Sequence, residues 1–195
     1  MKKVKFGIVG VGDFGVMHIQ ALKQLPEAEV HAVSCRTESR LKAICEKYKI
    51  PNWYTNVDDL MNDPEIDVII VATGEDTHYS FTEKAIREGK HVLLEKPICL
   101  NVEDGKKLLE LEQNTDLYIL PGHILRYDAS YNNAYRILQN EDMYGKILSI
   151  RVKRNVPIER FSLHSRTHPV FMALAHDIDI ITWLTNSRIK SVCGI

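Results

Sequence analysis

The chain lacks an excess of either charge: 25 Lys and Arg stand against 26 Asp and Glu, for a formal net charge of −1. That balance argues against nucleic acids and anionic membrane surfaces as partners, since both select strongly basic footprints. No stretch reaches the roughly 18 consecutive apolar residues of a membrane span. The opening, Met1-Lys2-Lys3-Val4-Lys5-Phe6, lacks the apolar core and small-residue cleavage site of a secretory signal. Cysteine is sparse. Cys35, Cys45, Cys99 and Cys193 include no Cys-x-x-Cys pair, which points away from a disulfide framework and toward free thiols in a reducing cytoplasm. No metal site is expected, and repeats and low-complexity tracts are missing.

What the sequence does contain is alternation. "KVKFGIV" (Lys3 to Val9) and "AEVHAVS" (Ala28 to Ser34) read as strands, "NWYT" as a short third one. Helical spacing of apolar residues follows each, from Val16 to Leu25, Glu38 to Tyr48 and over "VDDLM". "IDVIIVAT" (Ile66 to Thr73) is almost continuously apolar, as expected of a strand covered on both faces. A helix from Thr77 to Glu88 stops at Gly89, the strand "HVLL" (His91 to Leu94) follows, and Asn101 caps a helix from Val102 to about Asn114. "LYIL" closes the series. Residues 1–121 therefore predict an α/β unit with a parallel sheet and right-handed crossovers. From residue 122 to 195 the character changes. A helix is expected over Ser130 to Gln139, a long strand over "KILSIRVKRNV", a polar loop over "PIERFSLHSRTH", a helix from about Pro169 to Leu184 and a final strand in "IKSVCGI".

Gly10-Val11-Gly12-Asp13-Phe14-Gly15 is a G-x-G-x-x-G loop between the first strand and the first helix. Its first glycine suits a tight turn, its second lets backbone approach a pyrophosphate, and its third lets helix and strand pack closely. The phosphates would then face the helix N-terminus. Set in alternating units, the loop predicts a dinucleotide site. At the end of the second strand, where an acid would bind a ribose 2′-hydroxyl, stand Ser34-Cys35-Arg36-Thr37. Arg36 would make charge-assisted bonds to a 2′-phosphate, with Ser34 and Thr37 adding hydroxyl donors, so NADP is the expected cofactor and NAD the alternative.

"KFGIVGVGDFG", "VIIVATGEDTHYSFTEKAIREGKHVLLEKPICL" and "AHDIDIITWL" together resemble the Gfo/Idh/MocA oxidoreductases. The resemblance implies an N-terminal Rossmann domain followed by the beginning of an α+β domain with an open, mainly antiparallel sheet, through which such proteins usually form homo-oligomers. It implies a nicotinamide-dependent oxidoreductase that moves a hydride to or from a secondary alcohol of a sugar, polyol or nucleotide sugar. The alternative is a non-catalytic regulator or sensor that binds the cofactor. By this likeness Lys96, of Glu95-Lys96-Pro97, lies beside the nicotinamide and the reacting hydroxyl, with Glu95 near the cofactor. An ammonium there stabilises a developing alkoxide and can exchange protons. Thr73 and His78 match the family's loop after the fourth long strand, with Gly74 in place of its proline, and His78 is expected at the cofactor or at a helix start. His176 matches the catalytic histidine. Where inositol-dehydrogenase-like members carry an aspartate four residues earlier, this chain has Met172, so Asp179, three residues later on a similar face, is expected to orient His176 instead. His123, Arg126 and Tyr127 are expected to line the substrate cleft, whereas Arg166 to Pro169, just before the histidine helix, are read first as loop.

Overall fold

The computed structural model describes residues 2–155 and 170–193. It comprises two compact units, Met1–Gly122 and His123–Ile195.

The first unit is built on a sheet of six strands: β1 (Val4–Val9), β2 (Ala28–Ser34), β3 (Asn52–Tyr54), β4 (Val68–Val71), β5 (His91–Leu94) and β6 (Ile119–Pro121). All neighbours are parallel, in the order β3-β2-β1-β4-β5-β6. The order reverses between β1 and β4, and at such a switch point the crossover helices leave to opposite faces and open a crevice beyond the strand ends. The helices are α1 (Asp13–Leu22), α2 (Glu38–Tyr48), α3 (Val57–Met61), α4 (His78–Arg87) and α5 (Val102–Gln113). Side chains alternate along each strand, so one strand feeds two cores. Ile8 and Ile70 pack with Val30, Val33, Ile19 and Leu41 under α1 and α2. Val9, Ile69 and Val71 pack with Leu60, Ala85, Ile86, Leu94 and Leu108 under α3, α4 and α5. This explains the unbroken apolar run of β4. Truncating one fully buried member, such as Leu41 to alanine, would cost about 2–5 kcal/mol.

Local signals set the boundaries. The Asn101 side chain accepts the Asp104 N–H at 2.8 Å and caps α5, and Gly89, at φ +74°, follows α4. The first helix begins at Asp13 rather than Val16, because the glycine loop itself supplies the first turn: the Val16 N–H reaches the Gly12 carbonyl at 2.9 Å.

In the second unit a 3₁₀ turn (Ile124–Tyr127) leads into α6 (Ala129–Leu138), capped by Asp128, and α7 (Glu141–Tyr144). A π-helical turn, Val170–Leu174, runs into α8 (Ala175–Thr185). Tyr135 of α6 stacks on Trp183 of α8 with ring centroids 4.3 Å apart. The strands expected in "KILSIRVKRNV" and "IKSVCGI" do not form among the described residues, and the open antiparallel sheet is not shown. The residues favour extension, but a strand persists only where a neighbour takes its N–H and C=O groups, and neither segment has one among the described residues. The polar loop "PIERFSLHSRTH", with Arg166 to Pro169, lies outside the described residues.

Candidate active site

The C-terminal ends of β1, β4 and β5 carry three loops. The first is the glycine loop. Gly10 adopts φ +93°, and a Cβ there would meet the Ala72 carbonyl oxygen at 2.4 Å. A Cβ on Gly15 would lie 1.9 Å from the Gly10 carbonyl oxygen, so these two glycines are required by the fold. Gly12 is different. Its φ of −71° suits any residue, and a Cβ would meet nothing within 4 Å. The space left open lies at the N-terminus of α1, where backbone N–H groups and the helix dipole favour an anion. The residues present therefore fit a dinucleotide pyrophosphate. Asp13 and Phe14 are exposed at the same end.

At the end of β2, Ser34 departs from expectation. Its side chain is fully buried and its hydroxyl has no hydrogen-bond partner among the described residues. The strand's alternation turns Ser34 inward, away from any phosphate. Arg36 and Thr37 are exposed, and Thr37 stands at the N-terminus of α2 with its hydroxyl making no capping bond. The donors available to a 2′-phosphate are thus Arg36 and Thr37.

The second loop runs from Thr73 to His78. The Thr73 and Thr77 hydroxyls are 2.7 Å apart, and Thr77 also donates to the Gly74 carbonyl, so the side chain of Thr77 closes the turn that the family's proline would stiffen. His78 does start α4, but it is 1% exposed. Its Nδ1 donates to the Pro97 carbonyl at 2.6 Å, and its Nε2 lies 3.3 Å from the Thr73 carbonyl. It ties the second loop to the third and is too deep to touch a cofactor directly.

The third loop contains Glu95, Lys96 and a cis Lys96–Pro97 bond. The Glu95 N–H donates to the Val71 carbonyl at 3.0 Å, continuing the sheet one residue beyond β5. Its buried carboxylate takes His18 Nε2–H at 2.8 Å on Oε1 and the Lys96 backbone N–H at 3.2 Å on Oε2. Burial pushes this carboxyl up, yet the bond and charge of His18, with the N–H and charge of Lys96, outweigh burial and leave it below its ordinary value. The Lys96 ammonium lies 5.9 Å from the centroid of the Phe14 ring. Sequence reading missed His18. The signal was its place four residues after Phe14, on one face of α1.

In the second unit Asp179 is taken up by Arg126. Arg126 engages both its oxygens, through Nε at 2.9 Å and through Nη2, while His123 Nε2 lies 3.7 Å away. Arg126 also stands 6.0 Å from the Trp183 ring. Burial holds His123 below the ordinary imidazole value, with Asp179 opposing that shift and Arg126 adding to it. Asp177 is buried in a two-bond pair with Arg154 at 2.7 and 2.6 Å. Tyr127 is 85% exposed. His176 is half-buried in the first turn of α8. Because residues 170–174 form a π-helical turn, the step from position 172 to 176 is not that of a regular α-helix, and an i,i+4 comparison does not transfer across it. His164 and His168 stand four residues apart, a spacing that metal sites use, but lie outside the described residues.

Comparison with known proteins gives a consistent outcome. The model of the Gfo/Idh/MocA oxidoreductase family, with its NAD-binding Rossmann fold, matches residues 4–123. Inositol 2-dehydrogenase from Salmonella typhimurium is 29% identical over 192 residues, covering 97% of this chain and 56% of the relative. The NAD(+)-dependent scyllo-inositol 2-dehydrogenase of Bacillus subtilis is 27% identical over 195 residues, covering 98% and 57%. The crystal structure of scyllo-inositol dehydrogenase from Lactobacillus casei with NAD(H) and scyllo-inositol aligns with a TM-score of 0.86 at 25% identity, over 95% of this chain and 57% of that one. The chain thus spans a little over half the length of the curated relatives it matches.

Proposed function

This chain belongs to the Gfo/Idh/MocA oxidoreductase family, and from that premise we propose that it binds a nicotinamide dinucleotide and oxidises a secondary alcohol of a polyol or sugar, or reduces the corresponding ketone. The observation that carries this reading is the meeting of Phe14, from the glycine loop, with Lys96, from the end of β5. One side of the switch-point crevice offers a phosphate cradle, and the other a cation suited to a reacting hydroxyl. The nicotinamide, when bound, takes up or returns the hydride.

The chain's own residues do the rest. Backbone at Gly12 and the N-terminus of α1 hold the pyrophosphate. Lys96 Nζ stabilises negative charge growing on the substrate oxygen and carries its proton, help that is worth roughly 10²–10⁴-fold. His176 is the second unit's alternative candidate for that one proton, Arg126 and His123 are its candidate substrate-lining residues, and Asp179 holds Arg126 in place. Arg36 and Thr37, with no acid at the strand end before Glu38, favour NADP, which departs from the relatives that bind NAD(H). The names of the relatives make myo- and scyllo-inositol the first substrates to try. Pairing into a homo-oligomer belongs to the same proposal.

The test is turnover of the purified chain with either nicotinamide and each inositol, alongside Lys96→Ala. The variant should lose turnover while its cofactor dissociation constant stays within about threefold, because Lys96 acts on charge that grows only in the transition state. An unchanged rate in Lys96→Ala would remove Lys96 from the chemistry. Saturable cofactor binding with no turnover on the panel would favour the regulator.

A further inference from the structure

Glu95 and Lys96 are adjacent in the chain, and an ammonium is the partner a neighbouring buried carboxylate would be expected to seize. Here both carboxylate oxygens have donors other than that ammonium. Oε1 takes His18 Nε2–H at 2.8 Å, and Oε2 takes the backbone N–H of Lys96 at 3.2 Å. The carboxylate is only 11% exposed and His18 21%, so water is a poor substitute for either donor. The Lys96 ammonium instead lies by the Phe14 ring, 5.9 Å from its centroid. Phe14 and His18 are four residues apart on α1, about 40° around the helix, and so share a face. One face of the helix that follows the glycine loop thus addresses both members of the Glu95-Lys96 pair, with a separate residue for each.

We propose that His18 is a positioning residue: by occupying Glu95 Oε1 it keeps the carboxylate from capturing the Lys96 ammonium, which stays by the Phe14 ring. The inference rests on the reading of Lys96 as the proton carrier for its meaning, but not for its test. Without His18, the buried oxygen left bare attracts the ammonium of the adjacent Lys96, and that side chain folds back onto Glu95. A displacement of this kind, about 1 Å or more at the reacting group, costs on the order of 10²-fold in turnover with little effect on cofactor affinity. His18→Gln keeps an N–H within reach of Oε1, and Glu95→Gln removes the charge that attracts the ammonium.

The measurement is the proton shift of the Lys96 ε-methylene in lysine-labelled protein, assigned with Lys96→Arg. A neighbouring aromatic ring moves this signal away from those of the other lysines, and Phe14→Leu gives the unshifted reference. The shift should be present in the wild type, collapse to the reference in His18→Leu, persist in His18→Gln and return in His18→Leu/Glu95→Gln. If His18→Leu does not fold, His18→Asn, too short to reach Oε1, replaces it. A wild-type shift in the leucine or asparagine variant overturns the proposal, as does a shift lost equally in His18→Gln. With turnover on myo- or scyllo-inositol in hand, the leucine variant should lose about 10- to 100-fold in kcat with the NADPH dissociation constant within about threefold. Introduced into Lys96→Ala, it should cost nothing further, and full additivity would refute action through Lys96. Should no inositol turn over, the enzyme reading fails on its own ground, and the Lys96 shift still decides this inference.

Discussion

Alanine at Gly12 and alanine at Gly15 should separate a glycine kept for a ligand from one kept for the fold. At Gly15 the new methyl would sit 1.9 Å from the Gly10 carbonyl oxygen, deep inside contact distance of backbone that has no rotamer with which to yield. Helix and strand must move apart, at a cost of about 3 kcal/mol or more. For a unit of this size that lowers the melting temperature by roughly 10 °C. At Gly12 the methyl meets nothing within 4 Å and the backbone is already in an ordinary region. Replacing glycine by alanine at such a site stabilises by about 0.4–1 kcal/mol through the unfolded chain. Gly12 is also the N-cap of α1, where glycine outranks alanine by a comparable margin. The two effects offset, and the melting temperature should stay within about 4 °C of wild type. The same methyl projects into the open cradle. If it removes about 2 kcal/mol of pyrophosphate contact, the dissociation constants for NADH and NADPH rise roughly 30-fold. Nicotinamide fluorescence titration and thermal melting on the same samples decide it. A Gly12→Ala protein that binds both cofactors as wild type does would refute the cradle. One that melts as low as Gly15→Ala would make Gly12 a structural glycine.

Arg36→Asp should shift the NADPH-to-NADH affinity ratio toward NADH, because a carboxylate repels a 2′-phosphate and accepts from a 2′-hydroxyl; an unmoved ratio in competitive titration would exclude Arg36 as the discriminator. Glu95 lies below its ordinary pKa when folded, so the unfolded chain binds the proton more readily in the window beneath about pH 4.3. Its contribution to stability is complete above that value and lost as the pH falls through the lower folded pKa. The gap in melting temperature between wild type and Glu95→Gln should therefore shrink on acidification below about pH 4, and a constant gap would contradict the pairing with His18. Asp179→Asn should destabilise the second unit by about 1–2 kcal/mol, kept small because the Arg126 side chain is 39% exposed. It should also lower the titration midpoint of His123, which Asp179 now holds up, and an NMR titration of the imidazole reads this directly.

Much of the first unit was written locally. The apolar run of Ile69-Ile70-Val71, the capping of α5 by Asn101, and Gly89 after α4 all depend on neighbours within a few residues, so they can be read from the chain. The same holds for Gly10-x-Gly12-x-x-Gly15 and for the charged ending of β5. Other features depended on what lies across space. Ser34 was taken for a phosphate donor because a serine at a strand end resembles one, and only the packed sheet decides that its hydroxyl points inward. His78 was expected at the cofactor or at a helix start; it starts α4, and only the folded chain brings Pro97 and Thr73 to its two nitrogens. Asp179 was assigned to His176 by helix spacing, yet Arg126, 53 positions away in sequence, takes both its oxygens. The strands expected after residue 145 illustrate the same limit, since β-propensity describes one segment and a ladder requires two. The sequence by itself determined the periodicities, the turns and the glycine cradle, because those interactions are short in range. Which donor reaches Glu95, His18 from 77 positions away, was decided by the tertiary structure alone, since a buried charge takes whichever partner the fold carries within reach.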